Sequence, residues 1–239
     1  MLFACWSPKG GSGTTVIACG LAAVLARSGP PAGALLVDLS GDATAVLGVA
    51  EPAGPGLAEW LAAGADVSAS ALARLEVPAG AGLSLLAWRP PGPEWPGERG
   101  GGAGFRPGEG RAETLLDALS AEPRAVVVDC GSAGAGAGLA LAAGAQESLL
   151  VLRRCYLALR RALAAPVRPS GVVLVAEAGR SLGRRDVEDV LGVPVVAEVA
   201  VEDAVARAVD AGLLARRVPR PLERALRPLV AGRASRDAA

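Results

Sequence analysis

The 239-residue chain is 51% hydrophobic, 20% charged and 3% aromatic, with 32 Gly and 18 Pro, enough apolar side chain for one large core or two small ones. Its 24 Lys and Arg balance 24 Asp and Glu, yet residues 1–149 carry net −6 and residues 150–239 net +6, which fits either helices with solvated Arg faces or an acidic partner for the C-terminal half. No apolar run nears the roughly 18 residues of a membrane span, Met1–Trp6 lacks the basic start of a secretory signal, and a chain without His or CxxC offers neither imidazole catalysis nor a Cys/His zinc site. A cytoplasmic protein is expected, with Cys5, Cys19, Cys130 and Cys155 reduced and mostly buried.

Apolar runs of strand length alternate with Ala/Leu-rich stretches of helix length, the pattern of parallel strands joined by crossover helices. An α/β fold with a mostly parallel twisted sheet of about seven strands follows. Strands are expected at Leu2–Trp6, Ala34–Leu39, Gly82–Trp88, Arg124–Cys130, Ser148–Leu152, Gly171–Ala176 and Val195–Val199. Helices are expected at Thr15–Arg27, Leu57–Ala63, Ala69–Leu75, Ala112–Leu119, Tyr156–Leu163, Arg185–Leu191 and Val201–Leu214. Arg89–Gly110 is dominated by Pro and Gly, has no apolar period, and reads as a flexible insert. Residues 1–220 then form one domain. A C-terminal helix, Pro221–Val230, and tail follow, with Leu222, Ala225, Leu226 and Leu229 on one side and an interruption at Pro228.

The first strand runs directly into Ser7-Pro8-Lys9-Gly10-Gly11-Ser12-Gly13-Thr14-Thr15. A strand, a Gly-rich turn and a helix N-terminus gather backbone N–H groups and a positive dipole end around one point, which suits a polyphosphate. Thr15 falls at the Mg²⁺-binding hydroxyl of G-x-x-x-x-G-K-[ST], whereas Pro8 replaces the first Gly and Thr14 the Lys. Lys9 is the only lysine, the other 23 cationic side chains being Arg. In a chain so biased toward Arg, a lone Lys in this loop points to a need for a compact ammonium.

Lys9-Gly10-Gly11-x-Gly13-x-Thr15 resembles the deviant Walker A motif of the MinD/ParA ATPases. Leu36-Val37-Asp38-Leu39 is similar to that family's second-strand motif and Val126-Val127-Val128-Asp129-Cys130 to its Walker B strand. The resemblance extends through Leu149–Arg161 and Asp186–Gly212, so it covers most of the chain. It implies binding of ATP with Mg²⁺ and a nucleotide-dependent homodimer. In that reading Lys9 contacts phosphates across the interface, and Gly10, Gly11, Ser12, Gly13 and Thr14 cradle them. Thr15 ligates Mg²⁺, Asp129 holds a water of the metal's shell, and Asp38 orients the attacking water.

Departures from the pattern shift the expected function. Without a lysine at Thr14 the phosphates lose a charge-assisted contact of about 1.5–3 kcal/mol, so hydrolysis should be slow. Ser40 stands where the family often has a second Asp, with Asp42 two residues on. Such substitutions resemble the CpaE/TadZ-like pilus-assembly branch. The expected output is a slow ATPase switch for positioning a pilus, a septum or a chromosome. A scaffold with negligible turnover and a metabolic or cofactor-maturation relative stay open as alternatives. Arg153-Arg154, Arg160-Arg161, Arg184-Arg185 and Arg216-Arg217-x-x-Arg220 read as solvated helix faces or as a non-specific DNA surface. A partner in a pilus or division apparatus is the other expected contact. The chain has no Asn, and no adenine contact is evident near Val175–Glu177, so adenine rests on the resemblance.

Overall fold

The computed structural model describes residues 1–28, 33–64, 67–89, 109–133 and 136–237. Among the described residues there are eight strands, in chain order β1 (Leu2–Ser7), β2 (Ala34–Asp38), β3 (Glu76–Gly80), β4 (Leu83–Leu86), β5 (Ala125–Ser132), β6 (Glu147–Arg153), β7 (Gly171–Ala176) and β8 (Val195–Ala200). They form one sheet in the order β3-β4-β2-β5-β1-β6-β7-β8, parallel except for the antiparallel β3–β4 pair. The central strands are apolar at successive positions because both faces are covered. Leu2, Ala4 and Trp6 of β1 enter the core on one side of the sheet, and Phe3 and Cys5 the core on the other.

The helices are α1 (Thr14–Arg27), α2 (Ala43–Leu47), α3 (Leu57–Ala62), α4 (Glu109–Ser120), α5 (Gly136–Gly144), α6 (Tyr156–Leu163), α7 (Arg184–Leu191), α8 (Asp203–Asp210) and α9 (Arg220–Asp237). Residues of α1, α2 and α9 pack on one face of the sheet, and residues of α3 to α7 on the other.

Several elements depart from the sequence expectations. The sheet has eight strands rather than seven, because Glu76–Gly80 joins as an edge strand. Its Pro78 hides it from a propensity reading, and an edge is where Pro is tolerated. The Ala69–Leu75 helix is a 3-10 segment, Ala69–Arg74. Val201–Leu214 forms the shorter α8, which ends before Gly212, whose backbone lies against Gly48 at the end of α2. Helices α2 and α5 were not expected, the latter because Gly136–Gly144 lacks a polar face. Of the insert expected at Arg89–Gly110, positions 90–108 lie outside the described residues and Glu109 and Gly110 open α4.

Pro228 does not interrupt the last helix: α9 runs through it. Proline removes one hydrogen bond and crowds the preceding turn, at roughly 3 kcal/mol. Pro228 faces solvent, while Leu222 and Leu226 are fully buried and Leu229 nearly so. Burying leucines contributes about 1.5–3 kcal/mol each, enough to offset that loss. Leu222 and Leu226 seat against Gly20 of α1, where an added Cβ would lie 2.9 Å from Leu222 Cδ2.

Candidate functional site

The strand order puts β1 between β5 and β6 and sets the C-terminal ends of β2, β5 and β1 side by side, the edge at which open α/β sheets place ligands. After β1 the chain turns through Pro8–Gly13 into α1. Gly11 and Gly13 take φ of 76° and 87°, a left-handed conformation that favours glycine. Inside the turn the Lys9 carbonyl accepts the Ser7 hydroxyl at 2.9 Å and the Ser12 hydroxyl at 3.0 Å, which ties the loop down. A Cβ added at Gly10, Gly11 or Gly13 would meet nothing within 4 Å, so the space beside the loop is open. The N–H groups of the first turn of α1 have no intrahelical partner, and they border a cleft of about 500 Å³ whose walls include Ser40, Asp42 and Gly131.

Behind the part of the cleft wall formed by Leu39, Ser40, Cys130 and Gly131, Asp38 at the end of β2 and Asp129 within β5 sit opposite each other in register. Both are completely buried. Asp38 Oδ1 accepts the backbone N–H groups of Ser40 and Gly41, each at 2.8 Å, and Oδ2 accepts that of Ala43 at 3.1 Å. Asp129 Oδ1 accepts the Gly131 N–H at 3.0 Å. The Ser40 hydroxyl lies 2.6 Å from Asp129 Oδ2, 3.0 Å from Asp38 Oδ1 and 3.3 Å from Thr15 Oγ1. Burial pushes the Asp129 carboxyl up to about 6, against the opposing pull of the Ser40 and Thr15 hydroxyls. Burial also raises Asp38, opposed by its backbone donors. Hard oxygen donors of this kind suit Mg²⁺.

Lys9 is half-buried and its Nζ donates to the Gly10 carbonyl at 3.1 Å. Thr14, where the resemblance would have a lysine, is a buried residue on the cleft wall. A cation overlooked in the sequence stands behind the loop. Arg153, at the end of β6, donates to the Gly11 carbonyl at 3.1 Å and pairs with Glu177, which also pairs with Arg180 at 3.2 Å. The doublet Arg153-Arg154 reads as part of a basic surface; only the β6–β7 pairing reveals its anchor, Glu177. A second cleft, about 340 Å³, opens on this side of Gly11–Gly13 between Arg153, Val175, Val199, Val201 and Val205. The loop thus separates a polar cleft from an apolar one, an arrangement suited to a phosphorylated ligand with a flat apolar group.

The basic clusters are partly neutralised in place. Arg153 and Arg154 pair with Glu177 and Glu198, and Arg184 with Glu188, whereas Arg160, Arg161, Arg216, Arg217 and Arg220 are exposed. All four cysteines are free, with Cys5, Cys19 and Cys130 buried and Cys155 partly so. Burial raises the first three thiols, and backbone N–H groups of Ala158 and Leu157 lower that of Cys155. Among the described residues no helix is long and apolar enough to cross a membrane.

No protein-family model matches the chain, and no curated protein matches it significantly. Solved structures do match over nearly the whole length. A ParA family ATPase from Chlorobium tepidum TLS is 21% identical with a TM-score of 0.71, covering 94% of this chain and 95% of that one. The septum site-determining protein MinD from Pyrococcus horikoshii OT3, in complex with Mg-ADP, is 18% identical with a TM-score of 0.72, over 95% and 93%. The MinD cell division protein of Aquifex aeolicus is 15% identical with a TM-score of 0.76, over 98% and 97%. The chain has the fold of the MinD and ParA ATPases.

Proposed function

We propose that the chain is a Mg²⁺-dependent ATP-binding protein that works as a slowly hydrolysing, dimeric switch. The observation that carries this reading is the open glycine loop Gly10–Gly13 leading into Thr15, whose hydroxyl belongs to the same cluster as Asp129 and Ser40. Backbone N–H groups from Gly10 to Thr14 would hold the phosphates, aided by the dipole of α1. Thr15 and Asp129 would hold Mg²⁺, which when bound neutralises phosphate charge. Lys9, half-exposed at the mouth of the loop, would contact phosphates across a dimer interface, as the resemblance implies. The apolar cleft beyond Gly11–Gly13 would take the base. The Mg-ADP of the Pyrococcus horikoshii MinD structure supports the choice of ligand.

Slow turnover follows from Thr14, which supplies no charge to the phosphates, and from Asp38. Oriented by three backbone N–H groups, the Asp38 carboxylate would act on an attacking water chiefly by fixing the Ser40–Ala43 segment. These same features favour a second reading, a nucleotide-binding scaffold with negligible turnover. A role in positioning a septum, a chromosome or a pilus, through a division or pilus protein or through DNA on the exposed Arg160–Arg161 and Arg216–Arg220 surfaces, rests on the resemblance and is part of the proposal.

Calorimetric titration with Mg-ATP tests the reading. Binding by the wild-type chain, weakened at least about tenfold by Lys9→Ala, is expected, since losing one charge-assisted contact costs about 1.5–3 kcal/mol. No binding to the wild-type chain overturns it. Phosphate release then separates the switch from the scaffold.

A further inference from the structure

We propose that Ser40 is the positioning residue of the cation site, the side chain that orients both Asp129 and Thr15 toward a shared Mg²⁺. The inference rests on the reading of Thr15 and Asp129 as the cation-holding pair. It goes beyond that reading by assigning a role to a residue that looks, in the sequence, like the loss of a carboxylate.

The Ser40 hydroxyl touches the three other oxygen-bearing side chains of the cluster, at 2.6 Å from Asp129, 3.0 Å from Asp38 and 3.3 Å from Thr15. The contact to Asp129 falls within the 2.5–2.7 Å range of a hydroxyl donating to a carboxylate, among the stronger side-chain hydrogen bonds. Together with the Gly131 N–H on Oδ1 it fixes the plane of the Asp129 carboxylate from two independent segments, β5 itself and the turn following β2. Ser40 is itself held, because its own N–H donates to Asp38 and its Cβ faces Gly131, where an added Cβ would sit only 3.2 Å away. Gly131 therefore leaves room for this one side chain.

Donor chemistry explains why a hydroxyl serves here. Asp38 and Asp129 are buried and adjacent, and an ionised carboxylate at position 40 could only accept hydrogen bonds, whereas the Ser40 hydroxyl donates to Asp129. Groups that orient metal ligands through hydrogen bonds typically govern metal affinity by 10–100-fold. Asp42 lies on the wall of the same cleft at the start of α2, and the contacts to Thr15 and Asp129 are made by Ser40.

The test uses the full chain and a fluorescent ATP analogue, with affinity measured in EDTA and across a Mg²⁺ series. The ratio of the two affinities is the metal coupling. Ser40→Ala is expected to leave affinity in EDTA within about twofold and to cut the coupling by roughly 10–100-fold. Ser40→Thr, which keeps the hydroxyl, should restore it. Ser40→Cys keeps the shape with only a weak donor and should behave as Ala does, so it decides the matter if the Ala variant does not fold. Coupling unchanged in Ala and Cys overturns the inference and leaves the nucleotide reading standing. Equal loss in EDTA and in Mg²⁺ makes Ser40 a loop-folding residue, which also overturns it. Failure of the wild-type chain to bind the analogue under either condition overturns the nucleotide reading, and this inference with it.

Discussion

Two stretches that contain several glycines, Gly10–Gly13 and the helix α5 (Gly136–Gly144), have opposite surroundings. In the first, an added Cβ at Gly10, Gly11 or Gly13 meets open space. In the second, Gly138 would place a Cβ 3.2 Å from the Cys130 carbonyl and Gly144 one 2.3 Å from Leu116. Gly138 and Gly144 let α5 lie close against β5 and against α4. Those of the loop leave backbone N–H groups approachable from a cleft. Open space also borders Gly54, Gly64 and Gly179; what sets Gly10–Gly13 apart is that its open side faces a cleft at the start of α1.

Substitutions that add one methyl group break or sharpen that contrast. The largest stability effect is expected at a packing glycine, Gly48, whose φ is 68° and whose added Cβ would lie 1.9 Å from the Gly212 carbonyl oxygen. Overpacking and a left-handed backbone together cost about 2–4 kcal/mol, so Gly48→Ala should lower the denaturant midpoint sharply and leave nucleotide affinity of the folded fraction intact. Gly13→Ala should do the reverse. Its φ of 87° costs about 1–2 kcal/mol in strain, and the disturbed loop should reduce Mg-ATP affinity by more than about tenfold while the midpoint moves modestly. If Gly13→Ala binds as the wild type does, the loop is not the cradle.

A subtler effect concerns Asp129, raised to about 6 by burial. A carboxyl whose folded value lies above its unfolded value of about 3.9 contributes its full stability below about pH 4 and loses it as pH rises through 6. At pH 7 and above, the chain without nucleotide therefore carries an unfavourable ionised group, worth at most about 3 kcal/mol at roughly 1.4 kcal/mol per pH unit. Asp129→Asn should raise the denaturation midpoint at pH 8 and change it little near pH 4. A stabilisation independent of pH would contradict this cause.

Much of the architecture is legible in the sequence because parallel strands buried on both faces leave apolar runs such as Ala125–Val128 without alternation. β3 is not, since Glu76–Gly80 contains Pro and Gly and becomes a strand only by pairing with β4. α5 is not either, because a helix of Gly, Ala and Leu has no polar face to mark its period. The loop residues and both aspartates are readable from type and order. The roles of Ser40 and Arg153 are not, because each depends on strand neighbours distant in sequence: Ser40 meets Asp129 only once β2 lies beside β5, and Arg153 meets Glu177 only once β6 lies beside β7.

Amide hydrogen exchange along the chain, with and without Mg-ATP, tests the central claim most directly, because it locates the ligand as well as detecting it. Mg-ATP is expected to slow exchange at Gly10–Thr15, with smaller protection at Ser40–Ala43 and Gly131, and little change in α5. Protection confined to other segments, or none at Gly10–Thr15 at saturating nucleotide, would contradict it.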